Sequence, residues 1–138
     1  MRLDLAQIYL SEGEDLRAVA LYDGLLKEDP DNVEIYFMME KALSASGLYE
    51  DALKALQRAV EIKEDFAEAY YNLAGLSAYL GRQDEARRYM DTALRLWQRQ
   101  GKIFEAGQAL DAFEGFVISR TTPKGDTTGS RSPNSSYP

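Results

Sequence analysis

The sequence repeats itself at an offset of 34 residues, and no other feature limits its folds as strongly. Under that offset Gly13 aligns with Gly47 and Gly81, Ala18 with Ala52 and Ala86, and Leu5 with Met39 and Leu73. Tyr22 aligns with Leu56 and Met90, and Leu25 with Ala59 and Ala93. A period of this length belongs to a two-helix unit. Such a unit cannot bury its apolar face alone, so it stacks on its neighbours and the core becomes a continuous seam rather than a ball.

Within each repeat the pattern reads helix, turn, helix. Gly13, Gly47 and Gly81 end the first helix, where a residue without Cβ can turn left-handed. Acidic residues then open the second helix at Glu14 and Asp15, Glu50 and Asp51, and Asp84 and Glu85, facing the positive end of its dipole. The run Glu28-Asp29-Pro30-Asp31-Asn32 stops one repeat and offers caps to the next. The spacing predicts helices over 2–12, 15–28, 33–46, 49–62, 67–80, 83–99 and 102–118. Small residues at 18, 52, 59, 86 and 93 would let paired helices approach, and Tyr9, Tyr22, Tyr36, Leu43, Leu56, Tyr70 and Leu73 would fill the remaining core.

These residues resemble the tetratricopeptide repeat family over about residues 1–100, most clearly in the stretch AEAYYNLAGLSAYLGRQDEARRYMDTALRL at 67–96. The family's opening aromatic is matched by Tyr36 and Tyr70, the Leu that follows by Leu73 (Met39 in the second repeat), and the small residue after it by Ala6 and Ala74. The resemblance implies an all-α fold, a right-handed α-solenoid of antiparallel helix pairs. The repeats would span about 1–32, 33–66 and 67–100, with a capping helix at about 102–118 completing a domain of 1–118.

Three positions depart from the family pattern. Arg2 stands where the first repeat should open with an aromatic, and Ser77 replaces a usual Tyr. Glu40 occupies the small-residue position at the closest helix approach. It is expected to snorkel to solvent, the alternative being a buried carboxylate with a Lys or Arg partner that shapes the groove. In the cap, Ile103, Ala106, Gly107, Leu110, Phe113 and Val117 would face the third repeat. Phe104, Phe116 and Ile118 widen its apolar surface, which fits either a deeply seated cap or a homodimer contact. Gly115, one period after Gly81, marks an expected bend or end. Residues 119–138, rich in Ser, Thr, Pro and Gly, read as a disordered tail.

Composition narrows the chemistry. The chain has no Cys and no His, so disulfides, thiolate nucleophiles and the commonest general base and metal ligand are missing. Its carboxylate pairs, Glu12/Glu14, Asp29/Asp31 and Glu64/Asp65, sit at helix ends where capping accounts for them, and no Gly-rich phosphate loop is present. We therefore expect no enzyme, no cofactor and no metal. A formal charge of −7 disfavours nucleic acid and anionic membrane partners. With no signal-peptide pattern at the start and no spanning stretch, the expected location is cytoplasmic.

The resemblance assigns a concave groove to the first helices of the repeats. Its lining would be Leu3, Gln7 and Leu10; Phe37, Met38, Lys41 and Ser44; and Tyr71, Asn72, Ala78 and Tyr79, with Asp4, Glu34 and Glu68 at the margins. Rings and Met would give apolar contact, while Gln7, Lys41 and Asn72 could hydrogen-bond a passing backbone. The function this implies is a protein-interaction module or adaptor gripping a peptide with apolar anchors and basic character. The acidic tails of heat-shock chaperones are disfavoured: that clamp needs Lys, Asn and Arg on the groove helices, the matching positions here hold Leu3, Gln7, Met38, Glu68 and Asn72, and a Glu where a Lys is required would repel an acidic tail. The alternative is a dedicated chaperone of a secretion or assembly system, resembling the small acidic chaperones of type III export.

Overall fold

The computed structural model describes residues 2–121, with the side chains of 4–117. Seven helices follow in sequence: α1 (Arg2–Ser11), α2 (Asp15–Glu28), α3 (Val33–Ala45), α4 (Tyr49–Ile62), α5 (Ala67–Tyr79), α6 (Gln83–Arg99) and α7 (Ile103–Thr121). No strand occurs among the described residues. The tail expected from 119 lies, from 122 onward, outside them.

Glycine sets the turns. Gly13, Gly47, Gly81 and Gly101 all have φ between 77° and 84°. At each, the next residue's N–H reaches back to the same turn of the preceding helix: Glu14 N to Tyr9 O, Leu48 N to Leu43 O, Arg82 N to Ser77 O and Lys102 N to Trp97 O, each 2.8 Å. This pattern satisfies carbonyls that a helix end would otherwise leave without partners. The fourth such turn falls at Gly101, not at Gly115, through which α7 runs without a break. Gly101 closes a second helix, α6, whereas Gly13, Gly47 and Gly81 close first helices, so it stands outside the 34-residue register. Between α2 and α3, the Asn32 side chain accepts from Glu34 N at 3.1 Å and donates to Asp29 at 3.0 Å.

Each helix packs chiefly on its sequence neighbours, and α7 reaches past α6 to touch α5. Ala18, Ala52, Ala59, Ala86 and Ala93 are fully buried, as are Tyr22, Leu56 and Leu73. Leu5, aligned with the buried Met39 and Leu73, is instead exposed, because the principal contacts of α1 are with α2 alone. On α7 the buried residues are Ala106, Ala109, Phe113 and Val117, with Leu110 and Phe116 packed beside them. Ile103 and Gly107, expected to face the third repeat, point to solvent. Ala106, Leu110, Phe113 and Val117 thus pack as expected, Ala109 and Phe116 join them, and Ile103 and Phe104 at the start of the helix are its exposed apolar pair.

Candidate functional site

Helices α3, α5 and α7 enclose a cavity of about 420 Å³ lined by Glu40, Lys41, Tyr71, Asn72, Gly75, Ala112, Phe113 and Phe116. Helical spacing builds it. Tyr71, Asn72 and Gly75 are one face of α5, and Ala112, Phe113 and Phe116 one face of α7. Gly75 keeps the centre open, since a Cβ placed there would meet no atom within 4 Å.

Glu40 forms the polar wall. It is buried, its Oε2 accepts from the Ser44 hydroxyl at 2.8 Å, and its Oε1 accepts a long contact from Asn72 Nδ2 at 3.5 Å. Burial pushes its carboxyl above the usual carboxylate range, against the opposing pull of the Ser44 hydrogen bond and the Lys41 charge. The expectation that Glu40 snorkels to solvent is thus overturned. The buried alternative holds with different partners: two neutral donors, one a helical turn away and one on α5, rather than a Lys or Arg.

The expected groove residues divide into three groups. Lys41, Tyr71 and Asn72 meet at the cavity. Gln7 and Met38 meet beyond it, with Gln7 Nε2 3.7 Å from the Met38 sulfur. Leu10, Phe37 and Tyr79 are occupied in packing: Leu10 is half-buried in the core of the first two repeats, and Phe37 stacks on Phe66 with centroids 4.8 Å apart. Tyr79 stacks on Tyr49 at 4.9 Å, and its hydrogen bond to the Tyr49 hydroxyl holds that group above its ordinary pKa. Its ring is not free, contrary to the expectation. Ala78 is fully buried and lines nothing. Leu3 lies on α1, but its side chain is outside the described ones, as is that of Ile118. Tyr71 reaches the cavity with one side of its ring while the ring packs near Trp97, centroids 5.8 Å apart.

Sequence reasoning missed Gly75 and the α7 wall. Gly75 carried a signal, since it aligns at the 34-residue offset with Gln7 and Lys41. On α7, helical spacing pointed Phe113 at the third repeat, but the offset fails there and nothing placed that face in the groove. A second concavity, about 580 Å³ between α4 and α6, is lined by Glu61, Glu64, Arg95 and Arg99 and presents both signs of charge together. Among the described residues, no three acidic side chains gather as a metal site requires.

A stack of two-helix units in which α3, α5 and α7 line one cavity defines an α-helical repeat protein of the solenoid class. Residues 41–76 match a TPR repeat model and 67–105 a tetratricopeptide repeat model, and the chain is a tetratricopeptide repeat protein. The peroxisomal targeting signal receptor of Candida glabrata is 28% identical over 103 residues, 75% of this chain and 18% of that protein. The TPR repeat-containing thioredoxin TTL4 of Arabidopsis thaliana is 35% identical over 79 residues, 57% of this chain and 12% of that one. The chain thus spans less than a fifth of the length of these two relatives. Among solved structures, the Yersinia enterocolitica type III secretion translocator chaperone SycD superposes with a TM-score of 0.75 at 15% identity, covering 88% of this chain and 84% of that one. PcrH in complex with the chaperone binding region of PopD gives 0.75 at 18%, covering 86% and 90%. At these identities the likeness is one of fold.

Proposed function

We propose that this protein is a non-catalytic interaction module that holds a peptide segment of another protein along the face of α1, α3, α5 and α7. The observation that carries this is the cavity among Glu40, Lys41, Tyr71, Asn72 and Phe116, where apolar walls surround a few polar groups able to fix an orientation. A side chain of the bound segment would enter beside Tyr71 and Phe113, and Lys41 and Asn72 would bond the passing backbone. An acidic tail of the heat-shock chaperone kind suits the groove poorly, with Glu40 in its wall and Glu68 at its margin. Among the described residues no helix is long and apolar enough to cross a membrane.

The test is a titration of isotope-labelled protein with peptides selected from a random display library. Amide shifts should gather on Lys41, Tyr71, Asn72 and Gly75, and Gly75→Leu should abolish them by filling the cavity. Shifts centred on Phe104 instead would move the binding face to the outer side of α7.

A second reading, a dedicated chaperone of a secretion or assembly system, draws on the match in extent with SycD and PcrH, each covered over more than four-fifths of its length. It requires one client that aggregates when this chain is deleted from the cell. Unchanged solubility of every co-purifying protein on deletion would remove it.

A further inference from the structure

We propose that the cavity between α3, α5 and α7 seats a cationic side chain, a Lys or Arg of the bound segment, with its charged head against the Glu40 carboxylate and its alkyl stem between Tyr71, Phe113 and Phe116. The inference rests on the groove being the binding face and adds the chemistry it selects.

The argument begins with an incomplete pairing. Buried carboxylates are ordinarily matched by a cation. Glu40 is buried, yet the groups that bond it are the neutral Ser44 hydroxyl and Asn72 amide. The ion pairs among the described residues lie on exposed side chains and none involves Glu40. Lys41 follows it on α3 and is exposed; its charge acts on the carboxyl, but it is in none of those ion pairs. An ionised carboxylate offers about four acceptor sites, and the neutral donors occupy one on each oxygen. Acceptor capacity therefore remains on a group lining an open cavity.

The walls suit the same ligand. Tyr71, Phe113 and Phe116 are among the residues lining a cavity of about 420 Å³. Aromatic surroundings attract ammonium and guanidinium groups and pack against an alkyl stem. An uncharged apolar side chain of equal length would fill the same space and leave the carboxylate facing hydrocarbon, without water and without a partner. A carboxylate ligand would meet like charge. Of the three, the cation alone satisfies both the walls and the acid. Burial already raises the pKa of Glu40, and an incoming cation would draw it back toward ionisation, so binding and deprotonation reinforce each other.

The probe is a capped heptapeptide, Gly-Leu-Ala-Xaa-Ala-Leu-Gly, with Arg, Lys, norleucine or Glu at the central position. Affinities would be read from the amide shifts of Tyr71, Asn72 and Gly75. The Arg and Lys peptides should bind wild type at least tenfold more tightly than the norleucine peptide. Glu40→Gln, which keeps an acceptor for Ser44, should cut that preference below threefold while norleucine binding holds or improves. Glu85→Gln removes the same charge from an exposed site at the start of α6 and should leave the preference intact. Gly75→Leu should weaken all four peptides.

Equal binding of the Arg and norleucine peptides to wild type overturns the proposal while leaving the groove as the binding face. So does a preference that survives Glu40→Gln, or one that Glu85→Gln erodes as much, because long-range charge would then be selecting. If no peptide shifts Tyr71, Asn72 or Gly75, the groove reading fails and this inference with it.

Discussion

At the residue scale, the stack depends on where side chains are small and where a charge is enclosed. Ala52 and Ala86 are fully buried against the paired helix. Replacing either with Leu adds methylenes where there is no room, and should destabilise by about 1–3 kcal/mol in urea melts. An unchanged midpoint would mean that the second helices can shift apart. Glu40 gives a test with a sign. Burial holds its carboxyl above the ordinary range in the folded chain, so the folded state keeps that proton to higher pH than the unfolded state does. Its contribution is fully present below the unfolded pKa and is lost as pH rises through the folded one. Glu40→Gln does not titrate, so its urea midpoint should gain on wild type as pH rises above the ordinary carboxylate range. A gap independent of pH would show that the carboxyl is not desolvated. The small residues were legible because the repeat places them in register, whereas Glu40 was not. A carboxylate belongs by default in solvent, and one of its donors, Asn72, is 32 residues away on another helix. The other, Ser44, is one turn along the same helix and could have been read as a partner.

At the element scale, α7 is where sequence and structure diverge most. The apolar residues at 103, 104, 106, 110, 113, 116, 117 and 118 cover most of its circumference, so helical spacing found Ala106, Leu110, Phe113 and Val117 but missed Phe116. Packing on α5 and α6 settles the rotation by seating Ala109 and Phe113 in the core. Phe113→Ala should therefore cost about 3–5 kcal/mol, and Phe104→Ser, at an exposed position, no more than about 0.5 kcal/mol. Equal losses would mean that Phe104 is enclosed as fully as Phe113. Phe104→Ser also tests the homodimer expectation: if a second copy docks on Ile103 and Phe104, sedimentation should show that variant shifted toward monomer. The end of α6 gives a paired test. Gly101 has φ 77°, so Gly101→Ala should destabilise by about 1–2 kcal/mol. Gly115 lies inside α7 with open space around its missing Cβ. Gly115→Ala should accordingly stabilise by about 0.5–1 kcal/mol. Destabilisation of both to the same degree would mean that Gly115 also marks a turn, as the 34-residue count had implied. Helices α1 to α6 were legible because each begins and ends on a repeated signal. Beyond Gly81 that count no longer applies, since α6 closes on a glycine where α2 and α4 close on Asp29 and Lys63, and α7 runs through Gly115.

At the scale of the whole molecule, net charge and the local site should act on different steps of binding. A formal charge of −7 sets a field that favours approach of basic segments and slows acidic ones. That field is screened over about 10 Å at 0.1 M salt, whereas a contact inside the cavity is screened far less. Two peptides with identical apolar anchors, one flanked by Lys and one by Glu, should consequently differ most in association rate at low salt, and the difference should shrink as salt rises. Glu68 provides the control. It is exposed at the groove margin and sits 3.9 Å from Lys102, a pair that contributes little where solvent surrounds it. Glu68→Lys should slow association of the basic peptide at low salt and leave its high-salt affinity nearly unchanged. Rate measurements by stopped flow across a salt series decide the matter. Faster association of the acidic peptide at low salt would refute the field argument. A high-salt affinity that falls with Glu68→Lys would place that side chain in direct contact with the ligand, so that the margin of the groove, and not only its cavity, reads the partner's charge.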